Sequence, residues 1–526
     1  MKKSKSTRKR TGFLLAGAVL SPVCTSLASL LGSQLFPTNN PWYQNISTAP
    51  VATNSAAIIA NIGPLIKVRP DWDADSVANG TNTLYGIPFN VVHGNSTAKV
   101  NVIIDDYPEE SDLVPVPIPA NAVIEGDYQN GPNLYGPGPF GRNDSHLLVW
   151  DIDNNFGYEL FSASRPTDLN STDHKWHAAS ETFWNFNTNH FRPLGYTSAD
   201  GAGLPILTGL ARPDEGLPVA QGGQGVINHA LRVTLPSSAI DAHYIYPASH
   251  RMTSSSASNR IPAGGRLRLQ NTPAVNNRIA LMGPQSQILA RAMQQYGLIV
   301  ADIGSAMFVT GASGSVDAGN HLSLVWDMTD VGKLRGLTAG DFEVVNLTPV
   351  VTGLGAAQGS LGSTLTISGQ NFSGAIGHLS VFFGNTNTTA VTVLSDTQLT
   401  VVVPPGNGTV DVKVQSGVTN TALGGNLTTP IFGYGTSALS TADRFTFVPP
   451  TPTIQQATLL NGSLILQGTN NSGAGGTYHV LTATNLSFAR TTWSLFTNGT
   501  FDSKGNFSLT NSLGNIPWRF FSLQVP

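Results

Sequence analysis

Four carboxylates stand where acid–base chemistry would be possible. Glu125 and Asp127 lie two apart in PIPANAVIEGDY, on one face if that stretch is extended. Asp151 ends the apolar run HLLVWD, and Asp200 sits in the glycine-rich stretch GYTSADGAGLPIL. Cleavage of a glycosidic bond uses two carboxyl groups across the bond, one protonated and one ionised, about 5 Å or about 6.5–9.5 Å apart. These four are therefore the candidate catalytic residues. The plainer alternative is that each is a turn or surface acid.

Asp151 also belongs to DIDNNFG, where Asp151, Asp153 and Asn155 match the first three oxygen positions of a calcium loop. They form the candidate metal set, and calcium is the one possible cofactor; none is required. The match then fails. Phe156 occupies the place of the loop glycine and Ser162 that of the bidentate glutamate. A hairpin turn at Asn154-Asn155 is the better expectation, because Asn tolerates positive φ. On the strand before it, Leu147, Val149 and Asp151 share one face, with His146, Leu148 and Trp150 on the other. A carboxyl at the end of an apolar face would have a raised pKa and could serve as an acid.

Ligand contacts are expected from Trp176, Trp184, His229, Arg232 and Tyr246. The stretch HKWHAASETFWNFNTNHFRPLGY is dense in aromatics, whose faces can stack on sugar rings or simply pack on a sheet. His174 and His177 make poor metal ligands without placed partners. Ser198 lies in SADGAG, which lacks the Gly-x-Ser-x-Gly elbow of α/β hydrolases, so serine hydrolysis has little support.

Composition limits the function classes. The chain has 526 residues and only 11% charged residues, against roughly 25% in ordinary soluble domains. Asn, Thr, Ser and Gly carry the surface, which suits β-rich extracellular proteins. MKKSKSTRKR is basic and free of acids, FLLAGAVL is apolar, and small residues surround Ala28. That order reads as a Sec-type signal peptide over residues 1–28, implying a secreted, extracellular or cell-surface protein. Cleavage there removes the single cysteine and six basic residues, leaving 22 basic against 31 acidic residues and a net charge near −9. Nucleic acid is then an unsuitable partner, because phosphates are met by basic surfaces. No second apolar run has membrane-span length.

Turn-rich breaks near Asn346–Thr352 and at PTPT (residues 450–453) divide the rest into regions 40–345, 347–449 and 454–526. In 347–449 short alternating runs are punctuated every 8 to 12 residues, the signature of a β-sandwich. The segments ISGQNF (Ile367–Phe372), VFFG (Val381–Gly384), SDTQLTVVVP (Ser395–Pro404) and GTVDVKV (Gly408–Val414) resemble an IPT/TIG domain. That resemblance implies an immunoglobulin-like fold and a spacer or interaction role without catalysis. The stretch Val418–Ser440 departs from the pattern and is expected to be an insertion before DRFTFV.

Residues 454–526 also alternate and resemble small C-terminal β-modules of large secreted bacterial proteins. Region 40–345 reads as mainly strand, in KVNVIID, HLLVWDI, YELFSA, HALRVTL, HYIYP and RLRLQ, with LIVADIG and AMFVTG after one helix. In that helix, PQSQILARAMQQYG, the residues Ile288, Leu289, Ala292, Met293 and Tyr296 share a face, Pro284 opens it and Gly297 closes it. The region resembles secreted bacterial proteins that carry a TSADGAGLPI-like segment followed by NHALRVT, a group without assigned function that supplies no catalytic residues. The expected fold is mainly β: a large N-terminal β-sandwich or jelly-roll-like domain with one packed helix, an Ig-like IPT/TIG sandwich and a small C-terminal β-module. The expected function is an exported polysaccharide hydrolase acting on polysaccharide or surface glycan. The alternatives are a non-enzymatic adhesive or glycan-binding protein, and a polysaccharide lyase.

Overall fold

The computed structural model describes residues 29–30, 33–70, 72, 86–125, 144–168, 171–312, 324–373, 379–388, 390–416, 435–448, 452–470, 476–514 and 519–525. The leader at 1–28, Asp127 and most of the expected insertion at Val418–Ser440 lie outside them. The protein is mainly β.

The N-terminal region is layered. A four-stranded sheet contains β1 (Phe89–Val92), β2 (Leu147–Asp151), β3 (Phe156–Phe161) and β4 (Ser180–Asn185) in that order, with β1 parallel to β2 and the rest antiparallel. A five-stranded mixed sheet is built from β5 (Leu231–Leu235), β6 (Arg266–Leu269), β7 (Leu298–Ile303), β8 (Phe308–Val309) and β9 (Phe342–Val344), in the order β8-β5-β7-β6-β9. Its central pair β5 and β7 is parallel.

Side-chain alternation sorts the layers. Leu231, Val233, Leu298 and Val300 face a core shared with helices α1 (Ser55–Ile62), α2 (Pro273–Ala280) and α3 (Pro284–Gln295). Ile299 and Ala301 face the other way, onto Phe89, Leu148 and Trp150 of the four-stranded sheet. The far face of that sheet, with Leu147, Val149, Tyr158 and Leu160, is closed by Val116, Ile118 and Ile124.

Helix α3 follows the sequence reading. Pro284 sits in its first turn, Gly297 follows it at φ +76°, and all five expected apolar residues are buried. The expectation of a single helix needs correction: among the described residues, three helices of eight or more residues pack on the five-stranded sheet. The helix α2, PAVNNRIA, has Asn276, Asn277 and Arg278 at its centre and shows only Val275 and Ile279 to the core, so its apolar stripe is too thin to read. Its visible signal is Thr272-Pro273, where the Thr272 side chain caps the Val275 N–H. KVNVIID yields only the two-residue strand Ile103–Ile104.

The Ig-like module pairs two sheets. Strands Val350–Leu354, Thr364–Gln370, Gln398–Val402 and Val391–Ser395 form one, in that order. Thr409–Ser416 lies in the other, between Arg444–Phe447 and Leu379–Phe383. Ile367, Val381, Leu399, Val412, Val414 and Phe445 fill the space between them. Gln44 reaches this module from the N-terminal region, donating to Asp396 Oδ1 at 3.0 Å. Two further three-stranded antiparallel sheets make up the C-terminal module around Leu466, Tyr478, Val480 and Phe507.

Candidate functional site

Strands β5 and β7 carry the centre of the site. Arg232 and Thr234 alternate with Val233, so they point away from the helices and toward the four-stranded sheet. A bulge between Val300 and Asp302 sets Asp302 opposite Thr234. The extra residue turns Asp302 to the Arg232 face, which is how bulges re-aim side chains. The loop 197–204 closes over this pair. Gly201 allows the approach, since a Cβ there would lie 2.4 Å from Asp302 Oδ1.

Asp200 is fully buried and clamped: Arg232 Nε donates to its Oδ2 at 3.1 Å and Nη2 to its Oδ1 at 2.7 Å. The third arm of Arg232, Nη1, donates to Thr310 Oγ1 at 2.6 Å. Asp302 lies next to this pair, its Oδ2 3.9 Å from Arg232 Nη2. Burial and the Asp200 charge push Asp302 up to about 7, with Arg232 pulling the other way. Burial raises Asp200 as well, and the Arg232 guanidinium works against that rise.

His146 enters the same cluster from the start of β2, on the face of Leu148 and Trp150. Its Nδ1 meets Glu125 Oε2 at 2.5 Å and its Nε2 meets the Ala199 carbonyl at 3.0 Å. Both partners are acceptors, so both ring nitrogens carry hydrogen and the ring is an imidazolium. Burial opposes that charge, but Glu125 outweighs it and lifts His146 to about 9. Burial likewise works to raise Glu125, and His146 prevails in holding it below the ordinary carboxylate range. Asp144, within electrostatic reach of His146, Glu125 and Asp302, is raised by burial.

Of this cluster, Asp302 lines a cleft of about 270 Å³. Asp302, Tyr107, Glu110, His250 and Arg251 are among its lining groups. The Tyr107 side chain is exposed at 44%. His250 Nδ1 donates to the Gly201 carbonyl at 2.9 Å. The Ser198 hydroxyl is spent inside the loop, donating to Leu204 O at 2.7 Å and accepting from Asp200 N at 2.9 Å, and so is no nucleophile.

The structure thus brings together Glu125, Asp200 and Arg232 of the residues singled out in the sequence, and adds Asp144, His146 and Asp302. Asp302 had a visible signal: it is an acid ending LIVAD, a run otherwise fit for a buried strand.

The other expected site residues lie elsewhere. Asp151 is buried and accepts from the amides of Gly94 (3.0 Å), Asp153 (3.0 Å) and Asn154 (3.3 Å). Asp153 takes His93 Nδ1 at 2.7 Å and the Asn95 amide at 3.2 Å. Asn155 Oδ1 accepts from Trp150 Nε1 at 3.1 Å. The three sets of oxygens face three different donors, which corrects both the metal set and the catalytic assignment of Asp151. Among the described residues no group of three or more His, Asp or Glu side chains is arranged to hold a metal ion. The hairpin reading is right in kind, with Asn155 at φ +54°, but the loop spans four residues, 152–155.

Three of the expected ligand contacts are core residues. Trp184 donates its indole N–H to buried Glu159 at 3.0 Å, and that carboxylate also caps the amides of Ile206 and Leu207. Buried His229 bonds Glu215 at 2.8 Å. Tyr246 packs edge-on against Phe191. Trp176 packs against the outer core of the four-stranded sheet. Aromatic area won out as packing here, because each ring buries more surface than a rim position would.

The IPT/TIG domain model matches residues 349–430. No curated protein matches the chain. Among solved structures, the chain is similar to SGBP-B from a complex xyloglucan utilization locus in Bacteroides uniformis, at 15% identity and TM-score 0.15, over 27% of this chain and 49% of that one. An auxiliary nutrient binding protein from Bacteroides thetaiotaomicron matches at 16% identity and TM-score 0.15, over 33% and 39%. SGBP-B of a Bacteroides ovatus mixed-linkage glucan utilization locus, in complex with a mixed-linkage heptasaccharide, matches at 13% identity and TM-score 0.14, over 33% and 46%. The chain thus spans less than half the length of each of these three, and a likeness this slight carries no argument about ligands. No helix among the described residues is long and apolar enough to cross a membrane, which says nothing of β-barrels.

Proposed function

We propose that the chain is an exported glycan-binding protein. It would comprise a leader over 1–28, a ligand-holding region over 40–345, an Ig-like spacer over 347–449 and a small β-module over 454–526. The observation that carries this reading is the Asp302 cleft. It is concave and lined by the exposed Tyr107 ring, the carboxyls of Glu110 and Asp302, an imidazole and a guanidinium. A sugar presents C–H faces to a ring and hydroxyl edges to such groups. Export rests on the basic lead, the apolar run and the small residues before residue 29. The expected partner is an extracellular polysaccharide or surface glycan, and no cofactor enters the reading.

Binding is preferred to hydrolysis because the three described candidate acids are already committed. Glu125 is paired with His146, Asp200 with Arg232, and Asp151 with three amides. One observation favours a second reading as polysaccharide hydrolase or lyase. Asp302 titrates near 7 and opens on the cleft, so it can give or take a proton at neutral pH.

The test is affinity electrophoresis of the full chain through gels holding individual polysaccharides, beside assays for new reducing ends and unsaturated uronate. Retardation by one polysaccharide, weakened in Asp302→Ala and Tyr107→Ala and without new ends, is the expected result. New ends abolished by Asp302→Asn would replace binding by hydrolysis, and added uronate absorbance would indicate a lyase. Neither retardation nor turnover across the panel would remove the glycan reading.

A further inference from the structure

We infer that a second cavity, between helix α1, strand Ile240–Tyr244 and the end of β9, binds the anionic group of an acidic sugar. The sugar part of this inference rests on the glycan reading above. The cavity measures about 520 Å³, inside the usual range of about 300–1,000 Å³ for small-molecule sites.

Its charge is unbalanced. Arg260 lines it and donates Nη1 to the Ser255 carbonyl at 3.2 Å; no carboxylate of the described residues lies within ion-pair distance of its guanidinium. The lining contains one acid, Asp241, and that acid is engaged. It accepts from His243 Nδ1, from the His243 amide at 3.0 Å and from the Ala257 amide at 3.0 Å. Asp241 is thus engaged by its own strand and by the Ala257 amide, and Arg260 is left without a carboxylate partner among the described residues. Arg266 stands in the same wall, and among its partners are the carbonyls of Tyr296 (2.8 Å) and Pro41 (3.0 Å), so Arg260 is the cation the inference rests on. A positive concavity in a chain of formal net charge −3 concentrates anions.

The remaining polar lining favours a sugar over a bare ion. Thr53 and Ser258 bring hydroxyls, and Asn346 brings an amide whose oxygen already accepts from Thr348. A carboxylate or sulfate on Arg260 would leave these groups for the ring hydroxyls. The shared ligand chemistry is thus one anionic group on a hydroxyl-rich ring. The wall also includes Val345 and Leu347, in the segment that leads into the Ig-like strand Val350–Leu354, so an occupant would brace that joint.

Calorimetry on the full chain tests this with tetragalacturonate, a sulfated chondroitin tetrasaccharide and neutral cellotetraose. An acidic probe is expected to bind at least about tenfold more tightly than cellotetraose. Its binding should weaken about tenfold in Arg260→Ala, be partly kept in Arg260→Lys, and fall as salt rises from about 0.05 to about 0.5 M. Preference between the two acidic probes identifies the carboxylate or the sulfate as the group held. Should Arg260→Ala not fold, Arg260→Gln, which keeps a donor for the Ser255 carbonyl, reads the same difference. Acidic binding that survives loss of Arg260, or cellotetraose binding as tightly as the acids, overturns the inference and leaves the Asp302 reading standing. Silence from every sugar, with no retardation by any polysaccharide, removes both.

Discussion

The N-terminal region and the Ig-like module are both rich in strands and bury charge in opposite ways. Between the sheets of the Ig-like module lie Ile367, Leu399, Val414 and Phe445, and the one buried charged side chain described there is Asp443. The N-terminal region buries Glu159, Asp200, Arg212, Glu215, Arg232 and Arg266, all at 3% exposure or less. Taking charges out of water costs several kcal/mol each before pairing offsets it. A fold that needed only stability would place apolar side chains there, as the Ig-like module does. That contrast is what the proposed reading expects, with the ligand held by the N-terminal region and the module serving as a spacer.

The largest effect expected from this contrast is in Asp200→Ala, which strands the buried Arg232 guanidinium. It should destabilise the N-terminal region by about 3–5 kcal/mol in urea unfolding. A loss under about 1 kcal/mol would mean the pair is hydrated, and the contrast would collapse. In the Ig-like module, Leu399→Ala opens a cavity in an ion-free core and should cost about 2–4 kcal/mol in that module alone. Polysaccharide retardation lost along with it would deny the module its spacer role.

A smaller effect separates the regions by pH. The folded pKa of His146, about 9, is above its ordinary value of about 6.5. Its contribution is therefore fully present below about pH 6.5 and lost as pH rises through about 9. Asp302 is also raised, from the ordinary carboxylate range to about 7, so its share is lost earlier, as pH rises through about 7. His146→Gln should flatten the upper part of the decline by on the order of 2 kcal/mol, and Asp302→Asn the lower part. Titration of unfolding free energy from pH 5 to pH 10 would show whether the two windows separate. The smallest effect concerns DIDNNFG: calcium added to the full chain should leave the unfolding temperature where it is, because the oxygens of Asp151 and Asn155 already face protein donors. A clear upward shift that Asp153→Ala abolishes would restore the cation site.

Local rules carried the sequence reading wherever the determinant is local. Pro284 and Gly297 bound α3, Asn155 takes positive φ in its turn, and the punctuated runs of 347–449 give an Ig-like sandwich. The same rules set His146 on the face of Leu148 and Trp150, though not what it meets there. Trp184, His229 and Tyr246 looked like ligand contacts because aromatic and imidazole side chains serve rims and cores alike, and sequence spacing does not reveal which side of a sheet is covered.

What the sequence by itself determined is therefore the mainly β class, the helix α3, the Ig-like module and the low-charge, Asn/Thr/Gly-rich surface, all set by periodicity, turn chemistry and composition. The tertiary structure alone decided which acids meet. Glu125, Asp144, Asp200 and Asp302 are spread over 178 positions of chain. They converge because a parallel strand pair, one bulge and a glycine loop bring distant backbone segments together, and electrostatic coupling depends on distance in space rather than along the sequence.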